Sequence, residues 1–188
     1  MAEIDNRAKE PLSPLLVGPY GHPFHPILVT VPIGAWVCSV VLDVASRISA
    51  STALVDGSRW LIGIGVVGAV AAAAVGFLDF LTIPSGTTAH RTALVHMALN
   101  LAVTAAFAAG FVWRLGDDRS ATGWGPLGLS LVSVAALAVS GSLGGRLAYR
   151  YGVRVADEST QLTGFVRGST AAGAAQSRRA GSSAPEAR

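Results

Sequence analysis

Four histidines, His22, His25, His90 and His96, are the side chains in this 188-residue chain best suited to chemistry. An imidazole can exchange a proton near neutral pH or offer a nitrogen lone pair to a metal. Two of them stand in the run Gly21-His22-Pro23-Phe24-His25-Pro26, and His96 heads a polar series with Asn100 and Thr104 at intervals of four. On a helix that series makes one stripe. The single cysteine, Cys38, cannot form an intramolecular disulfide, and no Cys-x-x-Cys spacing offers a zinc or iron–sulfur site. No nucleophile motif points to hydrolysis, and a metal ligand set is not defined.

The elements that must position these histidines are set by composition. Hydrophobic residues make up 51% of the chain and charged residues 13%, against about 25% charged in an ordinary soluble domain. So few charges cannot cover the surface of a water-soluble fold, which points to a membrane protein. The net charge of +3 is carried mainly by arginine, with Lys9 the lone lysine. No basic stripe interleaves with aromatics, which argues against a nucleic-acid partner.

Charge-poor stretches place spans at about 27–46, 60–81, 92–113 and 126–149. Each is close to the roughly 20 helical residues that cross a 30 Å hydrocarbon core. Period-two alternation is absent, so the expected fold is all-α, an integral membrane bundle of four transmembrane helices. Residues 1–19 form an N-terminal segment, 20–155 the transmembrane domain, and 156–188 a polar tail expected to be disordered. Glu3, Asp5 and Glu10 sit where a secretory signal would be basic, so the first span reads as a retained anchor. Arg7, Lys9, Arg91, Arg146, Arg150 and Arg154 lie on the side of the termini, and Arg47, Arg59, Arg114 and Arg119 on the other. That bias predicts cytoplasmic termini.

Folding four spans up and down brings all four histidines to one membrane face. Asp79, Arg91, Asn100, Arg146 and Tyr149 belong to the same end and complete a polar cluster. Asp79 is expected to pair with Arg91 or Arg146 and to be the more enclosed aspartate. Asp43, at the opposite face, is expected to pair with Arg47 one turn on. Small-residue ladders (Gly68, Ala72, Gly76; Ala98, Ala102, Ala106, Gly110; Ala136, Ser140, Gly144; and, more loosely, Thr30, Gly34, Cys38) predict close helix packing. Pro32 cannot donate to the Leu28 carbonyl and should kink the first helix there.

Four motifs in order carry a resemblance: Gly21-His22-Pro23-Phe24-His25-Pro26-Ile27-Leu28-Val29 with Pro32-Ile33-Gly34; Gly76-Phe77-Leu78-Asp79; Ala93-Leu94-Val95-His96 with Asn100; and Gly144-Gly145-Arg146-Leu147-Ala148-Tyr149-Arg150-Tyr151-Gly152-Val153. Over about residues 20 to 156 the chain resembles the bacterial membrane-protein family known as domain of unknown function 2231. The resemblance implies a four-helix domain in a bacterial inner membrane, joined in some relatives to Rieske-type or other redox modules. It implies no established activity. Tyr151 stands where relatives often show histidine.

Three functions follow. The leading expectation is a structural or interaction subunit, more plausibly not an enzyme, whose His/Asp cluster fixes helix register. The alternative is a haem-b or quinone-linked electron-transfer subunit with His25 and His96 as the axial pair. With every histidine at one face, only one such haem can be held. The third is a small-solute or proton carrier using Asp79, His96 and Asn100. The expected partners are the lipid bilayer and a redox protein or a second copy of the chain.

Overall fold

The computed structural model describes residues 6–13, 17–18, 21–116, 119–163 and 165; the remainder of the polar tail lies outside them. A 3-10 turn at Asn6–Lys9 precedes α1 (Phe24–Leu28), α2 (Thr30–Ser49), α3 (Thr52–Phe80), α4 (Thr88–Trp113), α5 (Trp124–Tyr149) and α6 (Glu158–Thr163). Among the described residues four helical stretches are long and apolar enough to cross a membrane: Phe24–Ser49, which joins α1 to α2, and α3, α4 and α5. At 1.5 Å per residue, 26 residues span about 39 Å, enough to carry both ends into the headgroup region.

The helices run past the charge-poor stretches. The second begins at Thr52 and takes in Asp56 and Arg59, which pair at 2.7 Å one turn apart. The first is broken at Val29, between α1 and α2. Pro32 has no N–H for the Leu28 carbonyl, so the ladder fails one residue from the expected kink. At its other end α2 stops on Ala50, a left-handed residue at φ 49° whose N–H closes on the Ser46 carbonyl at 2.9 Å.

The spans close into a ring in which α2 packs along α3 and α4 along α5, with lesser contacts from α3 to α4 and from α2 to α5. Its centre is Trp36, Ile62, Ala69, Val103 and Phe107. The Trp36 and Phe107 rings stack at 4.3 Å, and the indole N–H donates to the Ile62 carbonyl at 3.3 Å. The outer surface is strongly apolar, with Val41, Val67 and Val132 between 60% and 73% exposed. Such a surface belongs in lipid, where the helices already satisfy their own backbone groups.

Only some of the small-residue ladders face inward. In α3, Gly68 lies against Val31 and Pro32, and Gly76 against His25. In α5, Ser140 is buried and Gly144 meets His96. Ala98 and Ala102 of α4, with Thr30, Gly34 and Cys38 at the start of the first span, are instead exposed. Beyond Val155 the chain forms a separate unit. Within its expected disordered tail, Glu158–Thr163 is helical, capped by the Asp157 carboxylate, which accepts from the Thr160 N–H at 2.8 Å.

Candidate functional site

His25 lies in α1, ahead of the Pro32 break, and its ring is turned onto α3. Its Nδ1 is 2.9 Å from the Ala72 carbonyl oxygen. A carbonyl only accepts, so Nδ1 carries a proton. The ring reaches this position because residue 76 is glycine: a Cβ there would lie 2.7 Å from the imidazole.

His96 repeats the arrangement on the other helix pair. Its Nδ1–H donates to the Ser140 carbonyl at 2.8 Å, and the Ser140 hydroxyl donates to the His96 carbonyl at 3.2 Å. A Cβ at Gly144 would stand 3.0 Å from the ring. Asn100 spends one amide hydrogen on the His96 carbonyl (3.0 Å) and directs the other at His96 Nε2 (3.1 Å). Thr104 continues the stripe by donating to the Asn100 carbonyl at 2.8 Å.

His25, Asp79, His96, Asn100, Thr104 and Arg154 line one cavity of about 390 Å³, whose walls are otherwise mostly apolar and include Pro32, Trp36 and Phe77. That volume falls in the range of small-molecule pockets, about 300–1,000 Å³. Both imidazoles line this mostly apolar space, each with its Nδ1–H on a backbone carbonyl of a neighbouring helix.

Asp79 pairs with neither Arg91 nor Arg146, both of which are exposed. Its carboxylate meets Arg154 Nε at 2.9 Å. The chain leaves α5 through Gly152 at φ 69°, and Val153 donates its N–H to the Leu147 carbonyl at 2.9 Å. Arg154 itself sits at φ 58°, with its N–H on the Ala8 carbonyl at 2.8 Å. This reversal carries the side chain back under the bundle, where Arg91 and Arg146 on the outer helix faces cannot reach.

The rest of the expected cluster is dispersed. His90 packs on the Phe80 ring at 4.9 Å between centroids. His22 is exposed, and Tyr149, although it touches the cavity rim, is 93% exposed.

The more enclosed aspartate is Asp43, at the opposite end. It is wholly buried and pairs with Arg114 at 2.8 Å, not with Arg47. Its second oxygen accepts from the Thr122 hydroxyl at 2.8 Å. Arg114 also donates to the Gly110 and Pro126 carbonyls and to Ser130 Oγ. A buried carboxylate requires a cation close by, and Arg114 supplies one from inside the bundle with both Nη atoms hydrogen-bonded, although its Nε has no partner. Arg47 is exposed, donates to the Thr122 carbonyl at 3.0 Å and lies over the Trp124 ring at 4.0 Å.

Sequence reasoning passes over Arg154, Arg114, Thr122 and the hydrogen bonds of Ser140 as members of these sites. Ser140 is visible only as a rung of a small-residue ladder, and the arginines only as charges near span ends. Over residues 21–157 the chain matches the family described as predicted membrane protein (DUF2231). No curated protein and no solved structure matches it.

Proposed function

The chain belongs to the predicted membrane protein family DUF2231, and we propose that its bundle is a cofactor-binding membrane subunit holding one haem b between His25 and His96. The observation that carries this reading is that both imidazoles are fixed by Nδ1–H bonds to carbonyls of neighbouring helices and line the same cavity. Two protein nitrogens are too few to hold a bare metal ion tightly. They suffice for an iron whose other four positions belong to a macrocycle. When bound, such a group supplies one-electron chemistry. The chain's own part would be to hold the two imidazoles in place, with Asn100 giving up its contact with His96 Nε2.

The cavity occupies one half of the bundle. The other half is filled by the Trp36–Phe107 core and, beyond it, the Asp43–Arg114 pair. This arrangement supports electron entry from one face and argues against a path for solute or protons across the bundle. The arginine bias supports a cytoplasmic placement of that face, where a redox protein or a second copy would dock.

The test is the absorption spectrum of the protein purified from cells supplied with haem. A Soret band that shifts on reduction is expected. His25→Ala and His96→Ala should each abolish its low-spin character, while His22→Ala and His90→Ala should retain it. Colourless protein would refute the haem reading and favour a structural subunit. The same bonds favour that second reading: His25 ties α1 to α3, and His96 ties α4 to α5.

A further inference from the structure

Arg154 is unusual among the cavity residues. Its side chain is 93% buried, since only 7% of it is exposed, and neither its Nη2 nor its Nε has a hydrogen-bond partner. The Asp79 carboxylate lies 2.9 Å from Nε as an ion pair, and Nη2 is left without an acceptor. A buried donor without an acceptor is costly, and a left-handed backbone at a non-glycine residue adds to that cost. Both features persist here together: the φ of 58° is held by the bond to the Ala8 carbonyl, and the side chain reaches the cavity at its polar end. The opposite buried arginine provides the contrast. Arg114 also has an unpartnered Nε, but its Nη1 and Nη2 are both bonded, and that residue lines no part of this cavity.

An uncommitted guanidinium edge beside a mostly apolar space suits an amphipathic molecule with an apolar body and an acidic end. We infer that Arg154 is the carboxylate anchor of this cavity, its Nη2 donating to a propionate of haem b. The inference rests on the haem reading and adds the polar end of the site to it. Asp79 then acts as a positioning residue, its ion pair with the guanidinium keeping Arg154 at the polar end of the cavity.

The test compares two ligands on the intact chain in detergent: ferric haem b and its dimethyl ester, in which both propionates are capped. Binding is followed by the Soret band. The ester should bind at least about tenfold more weakly, the scale of a lost hydrogen bond between charged groups. In Arg154→Gln the ratio of acid to ester affinity should collapse toward one, with the low-spin spectrum retained. Equal affinity of the unaltered chain for acid and ester, with a low-spin spectrum, would overturn the role of Arg154 and leave the haem reading standing. Failure of both ligands to bind would overturn both. Should Arg154→Gln not fold, the comparison on the unaltered chain decides alone.

Discussion

At the scale of single residues, two glycines and two aspartates give the sharpest expectations. Gly76 and Gly144 stand where a methyl group would press on the His25 and His96 rings. Overpacking of this kind costs about 1–3 kcal/mol. Gly76→Ala, with the closer contact of 2.7 Å, should lower the melting temperature in detergent more than Gly144→Ala. Gly145→Ala, where a Cβ meets nothing within 4 Å, should be neutral. Among the aspartates, Asp43→Ala leaves Arg114 charged and buried without its partner, a change that costs about 3–5 kcal/mol. Asp79→Ala should cost less, because Asp79 is 8% exposed while Asp43 is fully buried. Melting curves of the two variants check this order, which is the reverse of the one the sequence suggests. The reversal has a simple cause: Asp79 lies beside a cavity, whereas Asp43 is enclosed by α2, α4, α5 and the loop carrying Thr122.

At the scale of elements, the polar stripe of α4 shows what periodicity can reveal. His96, Asn100 and Thr104 recur at four-residue intervals and all line the cavity, because a helix in lipid must turn its polar side chains inward. The alanines of the same helix are a weaker guide: Ala98 and Ala102 are exposed, since a small residue is tolerated equally by lipid and by a neighbouring helix. The short α6 supports a pH prediction. Hydrogen bonds from the Ser159 hydroxyl and from Thr160 hold the Asp157 carboxyl down to about 2 from the usual 3.8. A lowered folded-state value means that the cap contributes fully above about pH 3.8 and is lost as pH falls through about 2. Amide exchange at Thr160 should therefore stay slowed at pH 4 and accelerate below about pH 2. In Asp157→Ala it should be fast throughout.

At the scale of the whole molecule, the four spans place the α4–α5 loop and the chain after α5 on opposite sides of the bilayer. Topology reporters fused after Gly116 and after Ala156 should give opposite signals, with the Ala156 fusion cytoplasmic. Two signals of the same kind would mean that the number of crossings is wrong. Opposite but inverted signals would overturn only the orientation. In either orientation the His25–His96 cavity lies in the half of the bundle where Phe24, Phe80, Thr88 and Tyr149 end their helices, since Phe80, Tyr149 and Arg154 are among its lining residues.

The amino-acid sequence alone determined that this is a four-span helical membrane protein and that His96, Asn100 and Thr104 share one helix face. Hydrophobic run length and helical period are local properties, and a bilayer leaves the chain few other ways to satisfy its backbone. The tertiary structure decided the partners. Which arginine reaches Asp79 depends on the backbone reversal at Gly152–Arg154, and which cation meets Asp43 depends on Arg114 standing at the end of α4, within reach of both α2 and α5. Both ion pairs join residues more than 70 positions apart. Side chains so distant in sequence are brought together by helix packing and loop geometry, and no spacing along the chain records that choice.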